Sequence, residues 1–349
     1  MRVIELNEVY KPKKNYTVIV KTITFNHSKY IEDTLNGIAM QNTNFPFVNI
    51  VLEDNSTDGE QEVIRIWLDR ECDMSLAEYY DIPTAVLIIA PHKENINCTF
   101  AIYFHKKNLF QQKNIRESQV NPWRYNSKYE ALCEGDDYWI DPLKLQKQVD
   151  FLDANPEYGM CYTKARVYNQ ERKNNERIYG GPYTDFNHII NVNPIPTLTV
   201  VAKTDLILQY NQEIEPQKQR WLMGDYPMWL WFAYNSKIKF IDAATGVYRV
   251  LKNSASHSSE YMKFIAFTQS GIDIQAFYKF LYTGKYTHRQ YCTDLWLAEL
   301  RGYAIYNKRL KFMSIWENGI KQDAYRLFVI KPYLYIIYFF CAKLRNDKL

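Results

Sequence analysis

The stretch TVIVKTITFNHSKYIEDTLNGIAMQ, residues 17–41, decides the architecture. Its first eight residues, TVIVKTIT, are dense in β-branched side chains and too short for a helix, so they predict a buried strand. The period then changes: Ile31, Leu35 and Ile38 recur at i, i+4 and i+7, one apolar stripe of a helix, with Ser28 placed to cap it. The alternation continues downstream. FVNIVLED (47–54) reads as a strand leading through NSTDGEQEVIRIWLD into a second helix. TAVLIIA (84–90) reads as a third strand, the segment near 100–112 as a helix, and YEALCE (129–134) as a fourth strand. Asp141-Pro142 offers an N-cap followed by Pro at the first helical position, with Leu145, Val149 and Leu152 as the stripe and Pro156 as the stop. Strands alternating with helices predict an α/β fold, a Rossmann-like and mostly parallel sheet with flanking helices and right-handed crossovers.

Beyond Pro156 the pattern shortens to GMCYTKARVY, TLTVVAK, IKFID and GVYRV, with a helix near 225–235, which extends the sheet in mixed fashion. From about residue 260 the chain is helical. The expected division is therefore a sheet domain over 1–260 and a helical C-terminal region over 261–349.

Composition sets the class. Of 349 residues 47% are apolar and 23% charged, with only 12 Gly and 13 Pro, as in a folded globular chain. The formal charge of +4 hides an asymmetry: residues 261–349 carry 14 Lys and Arg against 6 Asp and Glu, and the remainder 29 against 33. A basic, aromatic tail suits an anionic surface. Six scattered cysteines without CxxC spacing indicate neither a zinc site nor a disulfide framework, which fits a reducing cytosol. No run of about 18 uncharged apolar residues predicts a membrane span, and the N-terminus lacks the apolar core of a secretory signal. RLFVIKPYLYIIYFFCAKLR (326–345), interrupted by Lys331 and Pro332, reads as an interfacial or docking helix. The expected location is cytoplasmic, peripheral at the inner membrane surface.

Ligands of parallel sheets bind at the carboxyl ends of the strands. Glu53 and Asp54 end the second predicted strand, and Glu134, Asp136 and Asp137 follow the fourth. Carboxylates crowded on a tight turn raise one another's pKa unless a cation neutralises them. Oxygen donors without an adjacent His or Cys favour Mg²⁺ or Mn²⁺ over zinc, and such ions usually share their shell with substrate phosphates. Taken alone, Asp136-Asp137 reads equally well as a solvated turn ahead of Asp141.

Three motifs occur in register: TITFNHSKYIEDTLNGIAMQ, FVNIVLEDNSTDG and ALCEGDDYWIDPLKLQKQ. Over about residues 15–260 the chain resembles the family 2 glycosyltransferases of the GT-A nucleotide-sugar fold, in particular bacterial members that build surface polysaccharides. The resemblance implies that Thr24, Phe25 and Asn26 lie where base and ribose are received, and that Asp54, with Glu53 beside it, accepts a hydrogen bond from a uracil-like ring. Asp136 and Asp137 match the DxD element, the first near ribose and metal and the second a direct ligand, with Glu134 as the leading acidic position. The implied cofactor is Mn²⁺ or Mg²⁺ and the implied donor a nucleotide sugar, a UDP-sugar first. Asp225, in WLMGDYPMWLWFAYN, corresponds to the general base that deprotonates the acceptor hydroxyl, although Gly224 stands where many members have Glu. An ordinary Asp N-cap is compatible with that role.

His257, in the loop after the last strand, reads either as a ligand of the metal or diphosphate or as a solvated loop histidine. Arg249 reads as a phosphate contact or a core-edge arginine. His27 is read as a loop residue near the donor, and NPIPTLTVV (193–201) as a border of the acceptor. QKQRW (217–221) spells the QxxRW element of processive members but precedes Asp225, so it is read as chance. The expected reaction is inverting transfer of one sugar to a hydroxyl of a glycan or lipid-linked acceptor, with self-association of the chain open. Two other classes fit the sequence less well. A sugar nucleotidyltransferase wants a Gly-rich basic loop after the first strand, and FNHSKYI has no glycine. A non-catalytic carbohydrate- or nucleotide-binding module would not need Asp137 and Asp225 together. Nucleic acid is not an expected partner, because the basic residues of the tail are dispersed among helical stripes.

Overall fold

The computed structural model describes residues 3–5, 9–252, 260–306, 308–329 and 332–334. The chain divides into two compact units, Met1–Gln219 with Met228–Val250, and Arg220–Pro227 with Leu251–Leu349.

The described strands of the first unit are β1 (Val3–Glu5), β2 (Tyr16–Thr24), β3 (Phe47–Glu53), β4 (Glu78–Ile82), β5 (Ala85–Pro91), β6 (Cys98–His105), β7 (Ser127–Leu132), β8 (Tyr138–Trp139), β9 (Tyr158–Asn169), β10 (Asn174–Tyr179), β11 (Val201–Lys203) and β12 (Lys237–Val250). They form one sheet in the order β1-β4-β5-β6-β3-β2-β7-β11-β9-β12-β8, with β10 paired to β9. The helices are α1 (Ile31–Ala39), α2 (Glu60–Glu71), α3 (Lys113–Arg124), α4 (Lys144–Ala154), α5 (Phe186–Ile189), α6 (Thr204–Ile214) and α7 (Asp225–Asn235), the last belonging to this unit from Met228 onward. The centre, β6-β3-β2-β7, is parallel throughout. Both its faces are buried, which is why β2 and β3 read as continuous apolar runs. Val18, Val20, Phe47 and Val51 pack with Ile31, Leu35 and Ile38 of α1; Ile19, Val48, Ile50 and Leu52 pack with Trp123 of α3 on the other face.

Several local expectations fail. The segment near 100–112 is β6, parallel to β3, and the helix begins only at Lys113. CTFAIYFH is buried on both faces, so its apolar run carries no readable period. β5 runs antiparallel to both β4 and β6, which adds an antiparallel edge to the parallel centre. Ser28 does not cap α1; the N-cap is Tyr30 without a side-chain bond, and the Ser28 amide donates to Asp58 Oδ2 at 2.9 Å. α4 starts at Lys144, because Asp141 Oδ1 accepts from the Leu143 amide (2.9 Å) and its Oδ2 pairs with Lys147 (2.8 Å) before the helix forms. IKFID and GVYRV are one 14-residue strand, β12, broken in register between Phe240 and Ala244 and again before Gly246.

The second unit contains α8 (Tyr261–Thr283), α9 (His288–Ile305) and α10 (Arg309–Gln322). Trp296, Leu300, Ala304 and Phe312 form its apolar centre. α9 opens on a capping box, with Thr287 accepting from the Gln290 amide and Gln290 bonding back. Of the expected last helix, 326–345, the first three residues end a 3-10 segment, Ala324–Phe328, and most of the rest lies outside the described residues. Among the described residues no helix is long and apolar enough to cross a membrane.

Candidate active site

The parallel register brings the ends of β2, β3 and β6 level: Thr24 is opposite Glu53, and Glu53 opposite Phe104. β7 pairs with β2 up to Leu132 opposite Lys21, and the acidic turn 133–137 continues along β2 through bonds from the Cys133 amide to Lys21 O (3.2 Å) and from the Gly135 amide to Ile23 O (3.1 Å). Only glycine fits at 135, since a Cβ there would stand 2.1 Å from Thr24 Oγ1 and 2.4 Å from Thr24 Cβ. Thr34 of α1 holds the turn from below, its hydroxyl donating to the carbonyls of Gly135 (3.1 Å) and Asp137 (2.6 Å).

Asp137 is 3% exposed and its Oδ1 accepts from the Arg249 amide at 2.7 Å. Burial, reinforced by the charges of Asp136 and Glu134, pushes its carboxyl well above the usual range. This is the electrostatic deficit that a cation relieves. Asp136 Oδ2 stands 4.0 Å from His27 Nε2. Arg249, near the end of β12, is 5% exposed; its Nη2 donates to Asp33 Oδ2 at 2.8 Å. Its guanidinium lies 4.6 Å from the Tyr30 ring centroid and 5.1 Å from that of Tyr138. Nε and Nη1 are buried without a hydrogen-bond partner among the described residues. A buried guanidinium donor without a partner is costly and rare, and these two have the chemistry to bind an anion.

On the β3 side Asp54 Oδ1 accepts from the Leu109 amide (2.6 Å) and pairs with His105 Nδ1 (3.2 Å), while Asn108 Nδ2 donates to the Asp54 carbonyl (3.1 Å). Gln119 holds the other ring nitrogen of His105 at 3.0 Å. Burial raises the Asp54 pKa, but these bonds outweigh it, so the carboxyl is held below its ordinary value and stays ionised. Oδ2 takes no hydrogen bond among the described residues.

Between these two groups lies a stitched pair of loops. Asn26 and Asn55 both adopt left-handed backbone, φ 59° and 60°. The Asn26 amide donates to Ser56 Oγ (2.9 Å) and its side chain accepts from the Thr57 amide (2.8 Å). Glu60, fully buried, takes a short bond from the Thr24 hydroxyl, another from the His27 amide (3.0 Å) and a third from Ser56 (2.7 Å). Burial raises its pKa despite those bonds. Glu53 uses both carboxyl oxygens within the turn, toward the Ser56 amide (2.6 Å) and Gln61 (2.5 Å), so it braces the loop.

Thr24, Asn26, Glu53 and Asp54 thus share the β2–β3 end, and Asp136, Asp137 and Arg249 share the acidic turn. Asp225 is the first residue of α7 and belongs to the second unit; its Oδ1 accepts from the Tyr226 amide at 2.7 Å. His257 lies outside the described residues. Among the described residues no three His, Cys, Asp or Glu side chains are grouped to hold an ion by themselves. Sequence reading missed Glu60, His105, Asp33 and Thr34. His105 was hidden by the misread strand; Glu60 stood in view inside NSTDGE.

No protein-family model matches the chain. Two uncharacterized mycobacterial proteins, Rv1520 of Mycobacterium tuberculosis and Mb1547 of Mycobacterium bovis, are each 25% identical over 241 residues, 69% of this chain and 60% of theirs. The chain thus spans about 60% of the length of the curated relatives it matches. S. aureus TarS 1–349 in complex with UDP superposes with a TM-score of 0.48 and 16% identity, over 89% of this chain and 91% of that one. The mannosyltransferase PcManGT from Pyrobaculum calidifontis, in complex with GDP-Man and Mn²⁺, superposes with a TM-score of 0.48 and 15% identity, over 98% of this chain and 91% of that one.

Proposed function

We propose that the chain is an inverting, metal-dependent glycosyltransferase of the GT-A type, related to family 2, that moves a sugar from a nucleoside diphosphate donor, UDP-linked in the first instance, to a hydroxyl of a glycan or lipid-linked acceptor in surface polysaccharide synthesis. One observation carries the reading. At the carboxyl end of a parallel sheet, a buried carboxylate that needs a cation, Asp137, is bonded to the amide of a buried arginine with two unmet donors, Arg249.

The oxygen donors of the acidic turn suit Mn²⁺ or Mg²⁺: Asp137 would hold the ion, with Asp136 and His257 as the further residues that would serve it. When bound, the ion supplies charge neutralisation for the departing diphosphate. The residues of the chain do the rest. Asp54, kept ionised by His105 and the Leu109 amide, offers Oδ2 to a ring N–H of the base. Thr24 and Asn26 receive the nucleoside, with Glu53 bracing their turn, and Arg249 donates to phosphate oxygens. Asp225 takes the proton of the acceptor hydroxyl as it attacks the anomeric carbon, the bond to the diphosphate breaking in the same displacement, which inverts the centre. The catalytic part is assigned to 1–260. The region 261–349, with exposed Phe280, Leu310 and Phe328 and its excess of Lys and Arg, is assigned to an inner-membrane surface or to self-association.

The test is release of nucleoside diphosphate from a panel of UDP-, GDP- and dTDP-sugars with Mn²⁺ or Mg²⁺. Asp137→Asn should abolish turnover, and Asp225→Asn should abolish it while donor binding persists. Turnover indifferent to metal, or Asp225→Asn at wild-type rate, would refute the assignment.

A further inference from the structure

We infer that Asp33, in the first turn of α1, is a positioning residue for the diphosphate: its bond to Nη2 sets the rotation of the Arg249 guanidinium, and so the directions in which the remaining hydrogens meet phosphate oxygens. This rests on the nucleotide reading of the site. Arg249 is held from every side except two donors. Its amide is tied to Asp137 Oδ1 (2.7 Å), Nη2 to Asp33 Oδ2 (2.8 Å), and its plane lies against the rings of Tyr30 and Tyr138. Asp33 is the sole ion-pair partner of the guanidinium among the described residues, and its side chain is 55% exposed.

The fork geometry explains the arrangement. Each parallel N–H pair of a guanidinium includes Nη2, once with Nε and once with Nη1, so a bond from one Nη2 hydrogen to Asp33 leaves one parallel pair to match two oxygens of a phosphate and one separate donor for a further anionic oxygen. Aromatic faces fix the plane but leave it free to slide and rotate. Only a directional bond sets its rotation, and Asp33 supplies it. A more enclosed acid would neutralise the arginine and compete with the ligand. An acid half in water orients the fork while its own charge is screened. The partner of the two orphaned donors is thus a diphosphate rather than a nucleoside or a bare sugar.

The experiment is calorimetric titration of UDP, GDP, uridine, guanosine and inorganic pyrophosphate, with Mn²⁺ present, into wild type, Asp33→Ala, Asp33→Glu, Arg249→Met and the Asp33→Ala/Arg249→Met double variant. Asp33→Ala should weaken diphosphate and pyrophosphate about tenfold, the scale of one charge-assisted hydrogen bond, and leave the nucleosides unchanged. Asp33→Glu should restore most of the loss. In the Arg249→Met background the Asp33 change should add nothing, because its effect passes through the guanidinium. Equal losses for nucleoside and diphosphate, no loss, or an undiminished effect without Arg249 would each overturn the positioning role while the nucleotide reading stands. A wild-type protein that binds neither diphosphate nor pyrophosphate would overturn both.

Discussion

Lys144 offers a stability measurement whose sign follows from the fold. The residue opens α4, is fully buried, donates to Gln148 Oε1 at 2.8 Å and lies 4.2 Å from the centroid of a Trp139 ring. Burial lowers its pKa from 10.5 to about 7. Between those two values the unfolded chain holds a proton that the folded chain has released, so stability rises with pH through the window and the penalty is fully present below about pH 7. At ~1.36 kcal/mol per pH unit the interval is worth about 4–5 kcal/mol. The Trp139 face favours the ammonium by about 1 kcal/mol, leaving about 3–4. Lys144→Met removes the penalty, keeps the stem volume and strands Gln148 Oε1, at a cost of about 1 kcal/mol. The variant should therefore be more stable than wild type by about 2–3 kcal/mol at pH 6–7, an advantage that disappears toward pH 10. Urea unfolding of both proteins, followed by tryptophan fluorescence at each pH unit from 6 to 10, reads the difference directly. A gap constant across that range, or a variant weaker than wild type at pH 6, would refute the buried-charge argument.

Gly135→Ala should disrupt the acidic turn from within: a Cβ meeting Thr24 at 2.1 Å must push the turn away from β2, costing about 1–3 kcal/mol in unfolding free energy and weakening Mn²⁺-dependent UDP binding more than stability. Arg124, buried on α3, bonds Glu130 of β7 through two nitrogens and also pairs with Glu117. Arg124→Met leaves Glu130 charged and buried, so the urea midpoint should fall by the equivalent of about 3–5 kcal/mol. Burial raises the Glu130 pKa, but Arg124 and Lys21 more than reverse it. In wild type this contribution holds above the ordinary carboxylate pKa and is lost as pH falls through the depressed value; in Arg124→Met, where only Lys21 still pairs with Glu130 (3.4 Å), that acid-side loss should shrink.

What could be read in the chain, and what could not, separates along a physical line. β2, β3, β7 and the stripes of α1 and α4 were legible because burial on one or two faces writes itself as a period or as a dense β-branched run. β6 was not, since CTFAIYFH mixes aromatic, small and β-branched residues with no period, and its strand identity comes from pairing with β3 fifty residues earlier. The two acidic ends were legible as coincidences of motif and strand terminus. Their supporting residues were not. Asp33 sits in the first turn of α1, where an acid is expected for reasons of the helix dipole alone. His105 is meaningful only once β6 is a strand ending beside β3.

The failures at helix starts share a cause that bears on the site. Ser28 has the right residue type to cap α1, and NSTDG the right types to cap α2, but most polar atoms of the two segments bond across the loops, and only Asp58 also bonds along its helix, to the Glu60 amide. The Ser28 amide goes to Asp58, Asn26 to Thr57 and Ser56, and Thr24 and His27 to Glu60. α1 consequently starts at Ile31 without a side-chain cap, and α2 starts after Gly59 in left-handed conformation, which has no side chain to cap it, so that only Asp58 Oδ1, accepting from the Glu60 amide at 3.1 Å, serves its first turn. Each forgone cap is worth about 1 kcal/mol. The recovered interactions hold Asn26 at positive φ and tie the β2 and β3 loops together beside Asp54. A loop that served only to connect strand to helix would keep its caps. Here local helix stability is given up to make a rigid rim at the carboxyl ends of the strands, which is the expected trade where a ligand, rather than the fold, sets the geometry.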